Sequence, residues 1–168
     1  NTFVTTFSEY FFSDYKINSK TFPDLAVMQV SSNFTLEKPK ISLPLLNSGI
    51  KAPEVELFYA DGNLFNLEKE KGKVILLNFT VNGCPHCVEA IETLNRLFAK
   101  HKSEDFQIVS INAYDTKESI LKFNNRFNVK YPAFIKSEKT NKTLEDYHVD
   151  SYPTFYLIDK QGNIARTF

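Results

Sequence analysis

The two residues best suited to chemistry are Cys84 and Cys87, the only cysteines in a chain of 168 residues. Two intervening residues leave the sulfurs within bonding reach, so the pair can alternate between a dithiol and a disulfide. A thiolate at Cys84 can attack a disulfide of another molecule, and Cys87 can then resolve the resulting mixed disulfide. The spacing therefore predicts a two-electron dithiol–disulfide couple.

The residues around the cysteines favour the thiolate form of Cys84. An amphipathic segment follows Cys84, and the free amino terminus of a helix stabilises negative charge. Pro85 suits the first helical turn because its missing amide hydrogen would have no partner there. His86 adds a cation close to the sulfurs, which stabilises the reduced form and makes the couple more oxidising. We therefore expect Pro85 and His86 to tune the redox pair.

Two other uses of the cysteines were weighed against this interpretation. Zinc needs four ligands, and the histidines His86, His101 and His148 stand at no paired ligand spacing with Cys84 and Cys87. A purely structural disulfide would close a very short loop and stabilise the fold little. We therefore prefer the redox interpretation and expect neither a metal site nor a cofactor.

Hydrophobic periodicity predicts the elements that position the cysteines. The run Val74 to Phe79 is almost entirely apolar and does not alternate, which is typical of a central strand covered on both faces. A helix begins after Cys84 and carries its apolar side chains on one stripe. The next strand is Phe106 to Ile111, so the order strand–helix–strand predicts a parallel pair. The helical stripe consists of Cys87, Ile91, Leu94, Leu97 and Phe98.

Further elements complete the predicted domain. Asp115 and Glu118 have the spacing of a capping box at the start of a second helix. Asn128 to Lys136 indicates an extended connection or an edge strand. The other predicted elements are a hairpin from Val55 to Leu67 with its turn at Asp61-Gly62, a short helix from Lys139 to Tyr147, and a final hairpin of Thr154 to Ile158 and Asn163 to Phe168.

Residues 1–50 carry the weakest signals. Aromatic residues recur at helical spacing, but the segment is also rich in residues that favour strands, so its secondary structure stays undecided. We expect a structural extension or the end of a preceding domain, followed by a main domain over residues 51–168. The signals are Phe3, Phe7, Phe11 and Tyr15, two short strands at Leu25 to Val30 and Asn33 to Leu36, and linker residues Pro39, Pro44 and Asn47 to Gly49.

Composition excludes several classes of partner. The 20 basic and 20 acidic residues cancel, so the chain lacks the positive field expected of a protein that binds nucleic acid or an anionic membrane. No apolar run approaches the roughly 20 residues that span a bilayer. The chain opens at Asn1 without the pattern of a signal peptide. We expect no nucleic-acid partner.

A proline far from the cysteines supports the redox interpretation. Pro153 follows Tyr152 and stands immediately before an apolar strand, where proline is tolerated chiefly at the first residue or at an edge. A cis bond between Tyr152 and Pro153 would be a specific feature suggestive of function. Both residues therefore join the candidate site.

These motifs resemble the thioredoxin-like superfamily, and within it the TlpA/ResA-type thiol–disulfide oxidoreductases, which are related to the AhpC/TSA redoxins. The resemblance implies an α/β thioredoxin-like fold: a central mixed β-sheet flanked by helices, with an N-terminal hairpin and an additional N-terminal extension. The sequence ends at Phe168, so we expect the C-terminal helix of the family to be absent. The matching motifs are Ala52-Pro53, Asp61-Gly62, Gly72 to Phe79, Cys84-Pro85-His86-Cys87, Tyr152 to Asp159 and Gly162-Asn163-Ile164.

The resemblance implies a role for each candidate residue. Cys84 is expected to be the exposed nucleophile, Cys87 the buried resolving thiol and Pro153 a cis-proline beside the disulfide. The backbone at Tyr152 would pair with an extended segment of a protein substrate. The partners implied are protein thiols or disulfides and an upstream electron donor or acceptor. The family acts outside the cytoplasm, so a periplasmic location is implied, with a signal or membrane tether outside the sequence given.

Several residues depart from the family pattern. Asn78 stands where thioredoxins carry a buried aspartate. ResA-type proteins carry an acid at the position of Ala90, and the neighbouring Glu89 points about 100° away on the helix. Residues 80–83 replace a tryptophan-rich approach to Cys84. The Pro-His pair resembles strongly oxidising DsbA-like proteins, whereas the surrounding framework resembles reductases.

The function that we expect is exchange of disulfides with protein substrates, as an extracytoplasmic reductase. The alternatives are a DsbA-like oxidase or isomerase, a peroxiredoxin-like peroxidase and a non-catalytic peptide-binding module. The peroxidase is disfavoured because that family carries Thr or Ser three residues before its cysteine, where this chain has Val81. Failure of the cysteines to cycle would favour the binding module.

Overall fold

The computed structural model describes residues 42–59, 62–101, 105–135 and 138–168. Within these ranges, seven strands form one sheet and three α-helices accompany it. The strands are β1 (Glu56–Tyr59), β2 (Leu64–Asn66), β3 (Val74–Phe79), β4 (Phe106–Ile111), β5 (Ala133–Ile135), β6 (Thr154–Ile158) and β7 (Ile164–Thr167), and the helices are α1 (Pro85–Lys100), α2 (Lys117–Arg126) and α3 (Glu138–Asp146).

The sheet has the order β2-β1-β5-β4-β3-β6-β7. Strands β3, β4 and β5 run parallel to one another, whereas the other neighbours are antiparallel. The predicted parallel pair of β3 and β4 and both predicted hairpins are therefore confirmed, although Asp61 of the first turn lies outside the described residues. A mixed sheet accompanied by helices confirms the predicted fold class.

Strand β3 is buried on both faces, as its apolar sequence predicts. Successive side chains of a strand point to opposite faces, so its residues divide between two cores. Leu76 packs in a core with Leu94 of α1, whereas Leu77 packs in the other core with Tyr147, which follows α3. Burial of each such side chain contributes about 1.5–3 kcal/mol to the free energy of unfolding. The loop that follows β3 is therefore attached to a strand that is packed on both faces.

Helix α1 begins at Pro85 and presents its apolar stripe to the sheet. Cys87, Ile91 and Leu94 are buried, whereas the charged residues Glu89, Glu92, Arg96 and Lys100 are exposed. The helix ends at Lys100, where the backbone amide of His101 donates to the Leu97 carbonyl. No helix in the described ranges is long and apolar enough to cross a membrane.

The predicted capping box at Asp115 is wrong by one residue. The N-cap of α2 is Thr116, whose hydroxyl accepts a hydrogen bond from the Ser119 amide. Both Asp and Thr are favoured N-caps, so sequence alone could not choose between them. The Asp115 carboxylate instead accepts hydrogen bonds from Asn82 and Asn112. The N-cap is therefore Thr116, because the Asp115 carboxylate is bonded to Asn82, which is distant in sequence.

The segment Asn128 to Lys136, expected to be an extended connection or an edge strand, contributes an inner strand. Strand β5 lies between β1 and β4 and pairs with both. Its proline, Pro132, precedes the strand, and the Pro132 carbonyl accepts from the Ser110 amide. The edge interpretation fails because β1, from a distant hairpin, adds to the outer side of β5.

Residues 42–50, read as part of a linker, lie against the described domain. Leu45 and Leu46 pack on the core that contains Tyr156, and the Gly49 amide donates to the Ile164 carbonyl over 2.7 Å. The His148 ring nitrogen Nδ1 lies 2.8 Å from the Pro44 carbonyl. The helical and strand signals predicted between residues 3 and 36 lie outside the described residues.

Candidate active site at the Cys84–Cys87 disulfide

Cys84 and Cys87 form a disulfide, with their Cα atoms 5.2 Å apart. Cys87 is 4% exposed and faces the sheet from the first turn of α1, whereas Cys84 is only half-buried. The two sulfurs therefore differ in their access to solvent. An incoming thiol or disulfide can approach Cys84 more readily than Cys87.

Cys84 is the N-cap residue of α1. Its backbone is extended (φ −81°, ψ 114°), and its Sγ accepts a hydrogen bond from the Cys87 amide at 3.1 Å. Pro85 occupies the first helical turn, as its missing amide predicts. Gly83 has a φ of 81°, and only the backbone conformation requires glycine there, since a Cβ would meet no atom within 4 Å. The helix amino terminus thus faces the sulfur at which negative charge develops on reduction.

His86 lies in the first turn of α1 and is paired with Glu89. The Nδ1 atom of His86 is 3.1 Å from Oε2 of Glu89, and the two side chains are 78% and 73% exposed. Solvent screens a pair this exposed, and the carboxylate offsets part of the positive charge that a protonated imidazole carries. Sequence spacing could have revealed this pair, because residues three apart are neighbours on a helix.

Tyr152 and Pro153 lie beside the disulfide. Their peptide bond is cis, and the Tyr152 carbonyl oxygen is 3.5 Å from Cys84 Sγ. A disulfide sulfur carries no hydrogen, so this is a contact in the oxidised protein and becomes a hydrogen bond when Cys84 is a thiol. The structure thus brings together the candidate residues Cys84, Cys87, Tyr152 and Pro153, with Pro85 and His86 alongside.

A hydrogen-bond network fixes the loop before Cys84, and the sequence analysis missed it. The Asp115 carboxylate accepts from the Asn82 amide at 2.9 Å and from the Asn112 side-chain amide at 2.8 Å. The Asn82 side-chain amide in turn donates to the Ser119 hydroxyl at 2.9 Å. A signal was available: β3 and β4 are parallel neighbours, so the loops at their carboxyl ends must meet, and sites often form there.

Asn78 replaces the expected buried acid with a neutral amide. It is 3% exposed, and its Nδ2 donates to Ser110 Oγ on β4 at 3.3 Å. The buried polar side chains in the described ranges are all amides or hydroxyls. The described residues therefore include no buried carboxylate that could accept a proton from Cys87.

An open apolar groove of about 820 Å³ lies on the α1 side of the sheet. Its described lining includes Leu76, Leu94, Leu97 and Phe155, but neither cysteine and neither residue of the cis bond. This groove is therefore separate from the redox site.

The mixed sheet and the disulfide at the amino terminus of α1 define a thioredoxin-like thiol–disulfide oxidoreductase. The chain belongs to the AhpC/TSA family, which matches residues 48–167. It is 30% identical over 137 residues to the thiol-disulfide oxidoreductase ResA of Geobacillus kaustophilus (strain HTA426), a match that covers 82% of this chain and 75% of that protein. The resemblance to ResA-type oxidoreductases is thereby confirmed.

Solved structures agree with this assignment. The thiol:disulfide interchange protein DsbE of Chlorobium tepidum superposes with a TM-score of 0.65 at 28% identity, covering 73% of this chain and 84% of that one. The exposed lipoprotein thioredoxin Etrx1 of Streptococcus pneumoniae strain TIGR4 gives a TM-score of 0.59 at 25% identity, covering 69% and 88%. These similarities span the domain described above.

Proposed function

We propose that the protein reduces disulfides of protein substrates through Cys84 and Cys87, outside the cytoplasm. The observation that carries this proposal is the asymmetry of the disulfide. Cys84 is half-buried at the helix N-cap, whereas Cys87 is 4% exposed. Exposure and the helix terminus suit Cys84 to nucleophilic attack, and burial suits Cys87 to a resolving role.

The proposed reaction proceeds in two exchanges. The Cys84 thiolate attacks one sulfur of the substrate disulfide, so the substrate S–S bond breaks, a mixed disulfide forms and the first substrate thiolate takes a proton. The Cys87 thiolate then attacks Cys84 Sγ, forms the internal disulfide and releases the second substrate thiolate. Two electrons pass from the protein to the substrate. A dithiol donor of another protein restores the reduced pair by the same exchange in reverse.

The partner segment is proposed to bind along the backbone at Tyr152. The Tyr152 carbonyl lies 3.5 Å from Cys84 Sγ, so a strand that paired there would deliver its own sulfur to Cys84. Pro153 has no amide hydrogen, so such pairing would use the backbone groups of Tyr152. The same binding geometry suits a substrate that brings a disulfide and one that brings a thiol, because both reactions pass through a mixed disulfide with Cys84.

The reductive direction is supported by the surroundings of His86. Besides the helix terminus, the sequence favours oxidation through His86, and the His86 imidazole lies 3.1 Å from the Glu89 carboxylate in an exposed position. Its field at the sulfur is correspondingly weakened. We therefore propose a reduction potential closer to that of thioredoxin, about −270 mV, than to that of DsbA, about −120 mV.

The location and the domain limits are proposals of the same kind. Resemblance to extracytoplasmic oxidoreductases, and the similarity to a pneumococcal protein described as an exposed lipoprotein, support a site of action outside the cytoplasm. Residues 42–168 form one compact unit, and the family match begins at residue 48. We propose that the thioredoxin-like domain covers residues 51–168, that residues 1–50 are a structural extension or the end of a preceding domain, and that residues 42–50 pack on the domain core.

Trapping the mixed disulfide tests the proposal. A Cys87→Ser variant retains the proposed nucleophile and lacks the resolving thiol, so it should form a covalent adduct with an oxidised protein such as insulin. Dithiothreitol should release the adduct, which non-reducing electrophoresis and mass spectrometry detect. The matched Cys84→Ser variant should form little or none.

Three results would contradict parts of the proposal. An adduct that forms through Cys87 in the Cys84→Ser variant would reverse the roles of the two cysteines. A wild-type protein whose disulfide does not cycle in glutathione buffers would support a peptide-binding module without turnover. Equilibration in the same buffers gives the reduction potential, and a value near that of DsbA would overturn the reductive direction.

A further inference from the structure

Tyr114 is a large aromatic side chain beside the redox site that the exchange chemistry does not use. It stands in the loop after β4 and is 62% exposed. Its ring meets the ring of Tyr152 edge to face, with centroids 5.9 Å apart and planes at 87°. The Tyr152 carbonyl in turn lies 3.5 Å from Cys84 Sγ. A substrate segment that extends from its cysteine past Tyr152 would therefore meet the Tyr114 ring.

The backbone around Tyr114 is held in place. Asn112 Oδ1 accepts hydrogen bonds from the amides of Tyr114 at 3.1 Å and of Asp115 at 3.0 Å. The Asp115 carboxylate ties the same loop to the amide of Asn82, two residues before Cys84. The position of Tyr114 relative to Cys84 is therefore set before any substrate arrives. A preorganised aromatic ring loses little conformational entropy on binding.

The surroundings of Tyr114 fit an apolar ligand group. The Tyr152 ring backs it, and burial, the adjacent Tyr114 and the charge of Asp150 all raise the pKa of Tyr152. The two aromatic rings give an apolar side chain surface to bury, and the charge of Asp150, which acts on Tyr152, would repel an acidic one.

We propose that Tyr114 is a specificity-determining residue that binds an apolar or aromatic side chain close in sequence to the substrate cysteine. The inference rests on the proposed function, since it names the class of protein segment that the redox site accepts. Such a contact forms in the bound substrate and persists through the exchange. Loss of the ring therefore raises KM and leaves kcat unchanged.

The experiment compares two disulfide-linked peptide dimers with one small disulfide. The peptides have equal length and one cysteine each, flanked over four positions on both sides either by Leu and Phe or by Ser and Glu. Hydroxyethyl disulfide is the small substrate, and dithiothreitol supplies electrons, with its uncatalysed rate subtracted. Wild-type protein should show a lower KM for the apolar peptide than for the acidic one.

Tyr114→Ala should raise the KM for the apolar peptide about tenfold more than the KM for hydroxyethyl disulfide, as expected for an aromatic contact at the centre of an interface. Tyr114→Phe, which keeps the ring, should retain the wild-type KM ratio. Leu121→Ala removes another exposed apolar side chain, 41% exposed on α2, and serves as the matched control with unchanged constants.

The outcomes separate this inference from the proposed function. If Tyr114→Ala keeps the wild-type KM ratio while wild-type protein reduces all three substrates, the role of Tyr114 is wrong and the oxidoreductase assignment stands. An equal wild-type KM for apolar and acidic peptides would also overturn the inference. If folded wild-type protein reduces none of the substrates, both proposals fail.

Discussion

At the sulfur atoms, stability of the Cys84 thiolate decides how readily the protein gives up electrons. The helix amino terminus and the Cys87 amide both favour negative charge at Cys84 Sγ. His86 adds a positive charge when protonated, and Glu89 offsets part of it. The terminus is a fixed property of the fold, so His86 is the residue by which the potential can be changed without altering the backbone.

His86→Thr should lower the reduction potential, because removal of a nearby cation destabilises the thiolate and therefore the reduced form. We expect a shift on the order of 30 mV, which corresponds to about 1.4 kcal/mol for a two-electron couple. Equilibration with dithiothreitol or glutathione buffers measures it. Arg96→Thr removes a cation from the same helix about 15 Å beyond His86, at 1.5 Å per residue, and should leave the potential unchanged. An unchanged potential in His86→Thr would contradict this account.

The sequence identifies residues whose chemistry is local. Cys84, Pro85 and Cys87 are recognisable because spacing and position at a helix start determine what they can do. Tyr114 and Asp115 could not be assigned in the same way. Their importance comes from contacts with Tyr152 and Asn82, which lie more than 30 residues away in sequence.

Two loops at the carboxyl ends of β3 and β4 form the frame of the site at the scale of elements. Asp115 joins them, because its carboxylate accepts from the Asn82 amide in one loop and from Asn112 in the other. Residues 80–83, which form the loop before Cys84, include no large apolar side chain that could hold the loop by packing. We infer that this carboxylate maintains the approach to the disulfide.

Asp115→Ala should lower the free energy of unfolding by about 1–3 kcal/mol, because two partly buried donors lose their acceptor. It should also slow attack by Cys84, measured as the rate of reaction with hydroxyethyl disulfide, since the loop before the cysteine is released. Urea denaturation followed by circular dichroism gives the stability. Glu118→Gln changes an exposed carboxylate three residues later and should cost no more than about 0.5 kcal/mol. Equal effects of the two substitutions would refute the role of Asp115.

Elements with strong periodicity could be predicted, and those defined by distant contacts could not. Strand β3 has the predicted limits and helix α1 the predicted start, because their apolar patterns are long and unambiguous. The start of α2 and the place of β5 in the sheet depend on partners elsewhere in the chain, namely Asn82 and β1. Neither contact can be predicted from the residues next to α2 or β5 in the sequence.

At the scale of the whole molecule, buried tyrosines connect residues 42–53 to the core. The Leu46 amide donates to the Tyr156 hydroxyl at 3.1 Å, and that hydroxyl donates to the Tyr147 carbonyl at 2.6 Å. The Tyr147 hydroxyl donates to the Pro53 carbonyl at 2.8 Å. Both tyrosine rings are fully buried and pack on Phe79 at the end of β3. Leu46 makes its contact with Tyr156 through its backbone amide, which explains why the side chains around it indicated a linker.

These tyrosines make the fold sensitive to alkali. Burial raises the pKa of Tyr147 and of Tyr156 above the usual value of about 10, and for Tyr147 the nearby Tyr156 and Asp146 raise it further. The folded protein therefore holds these protons to higher pH than the unfolded chain does. The stability they contribute is fully present below pH 10 and is lost as pH rises from 10 towards the pKa values of the folded state, by up to about 1.4 kcal/mol per pH unit for each tyrosine.

Tyr147→Phe separates the hydrogen bond from the ionisation. Below pH 10 the variant should lose about 1 kcal/mol of unfolding free energy, because the Pro53 carbonyl loses its donor. Above pH 10 its stability should fall less steeply than that of wild-type protein, by the slope of one proton. Urea denaturation at intervals from pH 8 to pH 11 gives both quantities, and the difference between the two proteins cancels the titration of lysines. If the stability of the two proteins falls in parallel over the whole pH range, the pKa of Tyr147 is the same in the folded and unfolded states and this account is wrong.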